Sequence, residues 1–200
     1  MREIYDAEIG TDYVPTNADD LKRVLQQLNR PQEERWATAS YQGNAYDLAQ
    51  YAQMFGAPNN WQRDQSGKLV KDYETEAYKS AVGYVRDLAA ANLFHPNSNT
   101  YNIVSARTDF VARKFVVHLE GWNPFQDFAR QGWQLNPHTT FGAIYPFAAD
   151  GGTPIYYLGP GFIGATASTT PWTTTGILSP RRRRPPPVKY RGATLPCTRR

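Results

Sequence analysis

The chain changes character near residue 168, and that break sets how much of it can fold. From Ser168 onward, "STTPWTTTGILSPRRRRPPPVKYRGATLPCTRR" has no apolar period and carries Pro at positions 171, 180, 185, 186, 187 and 196. Such a segment cannot bury enough apolar surface to offset its ordering entropy, so a disordered tail is expected over 168–200. A run of Arg and Pro without motif is also what an out-of-frame reading produces. A folded unit must therefore come from the first 167 residues, a length that suits one domain with its own core.

The same break explains the charge. The formal net charge is +4, but eight of the 22 Lys and Arg lie in residues 181–200 and none of the 18 acidic residues does. The first 180 residues thus carry 14 basic against 18 acidic groups and are mildly acidic. A nucleic-acid surface needs basic residues spread over a folded face, so no nucleic-acid partner is expected; a basic arm on a nucleic-acid binder is the alternative that the tail leaves open. The single Cys197 forms no internal disulfide and no metal cluster. No window approaches the 18 apolar residues of a membrane span. The opening "MREIYDAEIGTDY" lacks the basic start and apolar run of a secretory signal, which as written implies a cytoplasmic chain.

Periodicity orders the body. "DYVPTNADDLKRVLQQLN" predicts a helix over about 17–29, with Thr16 or Asn17 as cap, Asp19 and Asp20 in the first turn and Leu21, Val24, Leu25 and Leu28 at helical spacing. A second helix is predicted over 45–55, stopped by Gly56 and Pro58. A turn at Ser66-Gly67 precedes a short exposed strand. The strongest helix runs from Thr75 to about Asn92, with Tyr78, Ala81, Val82, Val85, Leu88 and Ala89 on one face. A shorter helix over 106–113, a strand over 115–119, a brief helix from Pro124 and strands at "FGAIYPF" and "PIYYLGPGFIGATAS" complete the order. Helices alternating with strands argue an α/β fold.

The chain offers no enzyme signature. None of His95, His118 and His138 sits in a metal-spaced pair, and GxSxG, HExxH, Walker and CxxC motifs are absent from the sequence, so no cofactor is expected. His95 reads as a capping or surface group before Pro96, and His118 as a strand-face residue. Glycoside hydrolysis needs two facing carboxyls; Glu120 and Asp127 can be proposed for it, with nothing in their linear spacing to favour them over solvated groups, and on that reading the chain is a fragment of a carbohydrate-active enzyme. Gly159, Gly161 and Gly164 nominally match GxGxxG, but the small and β-branched residues that follow suit a hinge or sheet-crossing strand better than a dinucleotide loop.

Four stretches carry a resemblance. "VPTNADDLKRVLQQL", "FGAPNNWQRDQSGKLVKDYETEAYKSAVGYVRDLAAANLFHP", "FVARKFVVHLEGW" and "GPGFIGATAS" together resemble the extracellular solute-binding proteins of ABC importers, in their oligosaccharide-binding lipoprotein branch, over about residues 10–167. The family fold has two α/β lobes joined by a hinge, with the ligand in the cleft between them. The resemblance implies mostly the second lobe over 1–167, with Gly159, Gly161 and Gly164 at the hinge, and an incomplete protein whose lipoprotein signal and first lobe lie elsewhere. It departs at Arg113-Lys114, where the family usually has Gly-Lys.

What the resemblance implies for function is sugar binding for an importer, with permease subunits as partners, at the outer membrane face or in the periplasm. Trp122 would present its ring to a sugar from the loop after the 115–119 strand, with Asn123 as a hydrogen-bonding neighbour. Tyr46 and Asn44, entering the second helix, and Trp61 are the other implied ligand contacts. A core Trp beside a turn is the plainer reading of Trp122, and Trp36, Trp133 and Trp172 are assigned to packing or the tail.

Overall fold

The computed structural model describes residues 1–41, 45–120 and 124–156, with only the backbone for 45–47. All belong to one unit spanning Met1–Leu158. Along them run α1 (Arg2–Glu8), α2 (Ala18–Leu28), β1 (Trp36–Thr38), α3 (Ala45–Met54), β2 (Trp61–Arg63), β3 (Leu69–Lys71), α4 (Glu76–Ala90), α5 (Ile103–Val111), β4 (Phe115–Val117) and α6 (Phe125–Leu135). The fold is mixed helix and sheet, as the alternation of patterns predicts.

The long helices start where their caps say. Asn17 caps α2, its side-chain oxygen accepting from the Asp20 N–H at 2.8 Å, while Asp19 and Asp20 complement the helix dipole. Thr75 caps α4 through the Tyr78 N–H at 3.2 Å. Each helix then buries a stripe. Leu21, Val24, Leu25 and Leu28 of α2 are all buried, and Ala81, Tyr84 and Leu88 of α4 likewise. The Tyr84 hydroxyl donates to the Ala18 carbonyl at 2.7 Å and ties α4 to the start of α2.

At the centre stands β1, which pairs in parallel with β4, Trp36 opposite Phe115 and Thr38 opposite Val117. Its other side is held by residues 93–95: the Thr38 N–H donates to the Leu93 carbonyl at 3.1 Å, and the His95 N–H to the Thr38 carbonyl at 2.8 Å. Three parallel extended segments therefore lie in the order 93–95, β1, β4. Parallel neighbours need long crossovers. α3, the β2–β3 hairpin and α4 supply the first, and α5 the second.

Two buried clusters surround this sheet. α1, α5 and α6 contribute Tyr5, Phe110 and Phe128 to one; α3 and α4 contribute Tyr51, Ala81 and Leu88 to the other. α2 serves both, with Val24 and Leu28 in the first and Leu21 and Leu25 in the second. Gly132 of α6 permits one close approach: a Cβ there would lie 2.6 Å from Cε2 of Phe141 and 3.1 Å from Cγ2 of Thr139.

Several sequence expectations need correction. Residues 30–43 carry no helical or alternating pattern, yet they hold the central strand β1, which is only three residues long. α1 is unforeseen, and α5 begins at Ile103 rather than Ala106. On α4, Val82 is exposed, while Tyr84 takes the buried position. That helix ends at Ala90, where Asn92 turns the chain with φ of 55° into the extended 93–95 segment. The "FGAIYPF" stretch, Phe141–Phe147, forms no strand and pairs with none among the described residues. The return strand, the three hinge glycines and the boundary at 167–168 lie outside the described residues, apart from 154–156, which are not strand.

Phe115 is the largest fully buried side chain, with ring centroids of Phe110 at 5.6 Å, His118 at 5.5 Å and His95 at 6.5 Å. Phe115→Ala should destabilise the fold by about 3–5 kcal/mol, read from the urea midpoint at unchanged slope. A loss below about 1 kcal/mol would mean that this ring does not sit in a closed core.

Candidate functional site

The connection out of β1 leads to one side of it and the connection out of 93–95 leads to the other, so the strand order reverses between β1 and β4. In open α/β sheets ligands bind outside the carboxyl ends of strands at such a switch point. Ala39, Ser40 and Tyr41 leave β1 there, and His118, Leu119 and Glu120 leave β4.

On the 93–95 side the edge is tied by a hydrogen-bonded network. The Ser40 N–H donates to Ser98 Oγ at 3.2 Å, and that hydroxyl donates to the His95 carbonyl at 2.6 Å. His95 Nδ1 accepts from the Asn97 N–H at 3.1 Å and lies 2.8 Å from the Tyr101 hydroxyl, which donates to Asp109 at 2.5 Å. Burial lowers the His95 pKa against the pull of Asp109. His95 is a cap, as its place before Pro96 suggests, but it is buried rather than on the surface.

His118 is the unusual group. Its side chain is 1% exposed and sits among the rings of Phe110, Phe115, Phe128 and Tyr41, with centroids 5.2–6.3 Å away. Neither ring nitrogen has a hydrogen-bond partner among the described residues. The nearest charge, on Glu120, is 4.0 Å from Nε2, and Arg107 holds that carboxylate through two nitrogens at 2.8 and 2.9 Å. Burial pushes the imidazole pKa down to about 4, Glu120 working against that shift and Arg107 adding to it. At neutral pH His118 is an uncharged donor and acceptor.

Alongside β4, on the edge that β1 leaves open, lies a cavity of about 410 Å³. Residues 116–120 form one wall, Met1 with Arg2 and Tyr5 of α1 another, and residues 13–14, Leu21 of α2, the end of α3, Phe110 of α5, Phe125 and Phe128 of α6 and residues 141–147 contribute the rest. The Tyr5 hydroxyl is also buried without a hydrogen-bond partner among the described residues. The pattern that marks α1 is the spacing of Met1, Tyr5 and Ile9, one position per helical turn, which seven residues of helix make easy to overlook.

Of the sequence-predicted ligand residues, Trp122, Asn123 and Asn44 lie outside the described residues, and Tyr46 is described only as backbone within α3. Trp61 stands on the β2–β3 hairpin, 56% exposed, with the Lys71 ammonium 5.2 Å above its ring. It does not line the cavity. Glu120 is bound by Arg107, and Asp127 pairs with Arg130 at 3.3 Å. Among the described residues no cluster of three His, Cys, Asp or Glu is placed to hold a metal, and no helix is long and apolar enough to cross a membrane.

His118 fixes a pH dependence. Its folded pKa lies below the unfolded value of 6.5, so between those values the unfolded chain binds a proton that the native one excludes. Stability should fall as pH drops from about 6.5 to about 4, by roughly 3 kcal/mol. Glu3 acts lower. Burial raises its pKa, but the hydrogen bond from the N-terminal ammonium and backbone contacts outweigh this and bring it to about 2. In urea titrations across this range His118→Leu should flatten the upper window and leave the lower one; an unchanged profile would contradict the assignment.

No family model matches the chain, and neither a curated protein nor a solved structure shows a significant match.

Proposed function

We propose that this chain is a partial substrate-binding component of an ABC-type saccharide import system, a binding module whose second lobe is represented here and whose grip on ligand is weak without an opposing lobe. The reading rests on the resemblance set out above. The observation that carries it is the reversal of strand order between β1 and β4. The two segments that hold the implied ligand residues, 42–46 and 121–123, follow in the chain from the carboxyl ends of those two adjacent strands. A ring presented there packs on the C–H face of a sugar, while amide neighbours bond its hydroxyls.

A second observation favours the same family. Arg113, where the resembled proteins usually carry Gly, has φ of 67°, a conformation that glycine adopts without strain. The guanidinium hydrogen-bonds to Glu3 and Thr139, contacts that help hold the turn without the glycine.

The test follows the backbone amide signals of the full chain by NMR while malto-, cello- and xylo-oligosaccharides are added. A saturable shift with Kd of about 1 mM or weaker is expected, lost in Trp122→Ala. Absence of any shift at tens of millimolar ligand, on the order of the weakest useful affinities, would overturn the saccharide reading. Micromolar binding would overturn the half-clamp. Release of the aryl group from aryl glycosides, abolished by Glu120→Gln, would favour the hydrolase fragment. Salt-sensitive DNA retention lost on deleting residues 181–200 would favour the nucleic-acid binder.

A further inference from the structure

His118 is held in a place that suits only its neutral form. The ring bridges four parts of the fold: Phe115 of β4, Phe110 of α5, Phe128 of α6 and Tyr41, which continues from β1. Both of its nitrogens are buried without a hydrogen-bond partner among the described residues. A protonated imidazole carries two N–H donors and a charge, and an enclosure of rings excludes the water that would solvate them. Charged groups on the surrounding elements are engaged elsewhere. Glu120 stands 4.0 Å from Nε2, but Arg107 of α5 holds its carboxylate and opposes a second cation. On α6, Asp127 pairs with Arg130; on α5, Asp109 bonds to Tyr101 and Lys114. Across the cavity, Arg2 of α1 pairs with Asp6, and Glu3 with Arg113. His118 adjoins the cavity beside β4, which leaves the ring a direction in which to turn.

We propose that His118 is a proton-operated latch: the carboxyl ends of β1 and β4 open locally to admit a proton to this ring, which turns toward the adjoining cavity, while α3 and α4 keep their packing. Acid thereby favours the open form. Proteins open in cooperative parts, and the two buried clusters supply the division here. Phe110, Phe115 and Phe128 around the ring belong to the first, whereas Tyr51, Tyr84 and Leu88 of α3 and α4 belong to the second. Segments 42–46 and 121–123 continue from the two strand ends, so acid would also weaken the hold on any ligand bound there. The latch uses only the ring and its enclosure, and is independent of the saccharide reading.

The experiment is amide hydrogen exchange of the full chain, followed by NMR at pH 7 and pH 5 with intrinsic rates divided out. The β4 amides of Phe115–Val117 should exchange ahead of the α4 amides of residues 84–88. Their protection should fall about twentyfold between the two pH values, the factor expected for a ring that titrates at 6.5 when open and at about 4 when enclosed. His118→Leu and His118→Phe, both apolar, should remove that fall; circular dichroism shows which of them folds, and either one suffices. His95 is retained in both variants, so the acid response of its own network is not confused with that of His118. Equal protection of β4 and α4 at both pH values, no fall on acidification of the unaltered chain, or a fall that survives in a folded variant would each overturn the proposal.

Discussion

The structure depends on the backbone pairing of a three-residue strand. β1 is too short to hold itself together, yet it receives the Leu93–His95 segment on one side and β4 on the other. The Trp36 N–H reaches the Lys114 carbonyl at 2.9 Å, and Thr38 both donates to Leu93 and accepts from His95. A buried strand must satisfy its backbone groups somewhere, and here the partners come from positions that α4 and α5 deliver. The helices therefore fix the sheet: their apolar stripes bury against it and bring its edges into register. The reversal of strand order, and with it the position of the candidate ligand segments, follows from that delivery.

Side-chain chemistry around the sheet divides along the same line. Next to residues 93–95 a network is formed, with Ser98, His95, Tyr101 and Asp109 bonded in sequence and Lys114 closing on Asp109 at 3.2 Å, while Thr38 Oγ1 is buried without a hydrogen-bond partner among the described residues. Next to β4 the polar groups are only partly paired, with Glu120 held by Arg107 while His118 stands among rings without a hydrogen-bond partner in the described residues. Fully satisfied networks rigidify a core, whereas unsatisfied ones are costly unless something completes them.

Much of this was legible in the amino-acid order, for physical reasons that also mark where legibility stops. Residues 18–28 and 76–90 declare themselves because a period of 3.6 repeats over three or four turns and a capping side chain marks each start. Residues 36–38 do not, because three residues hold barely one cycle of alternation, and their strand state is imposed by neighbours 56 and 79 positions further along the chain, Phe94 and Phe115. "FGAIYPF" has strand composition, yet its backbone finds no pairing partner among the described residues, so composition alone misleads there. Strand-end reasoning points to the loop after the 115–119 segment as a place for ligand chemistry, and residues 121–123 of that loop lie outside the described residues. What that reasoning could not reveal was that His118 and Tyr5 keep polar atoms without a hydrogen-bond partner among the described residues, since pairing is decided by residues distant in the chain.

Gly132 gives the cavity an adjustable dimension. The 2.6 Å separation between a hypothetical Cβ and the far edge of the Phe141 ring means that the depth of the chamber is set by a methyl group that is absent. Any larger residue at that helical position would require the Phe141 ring, which lines the cavity, and the Thr139 methyl to give way.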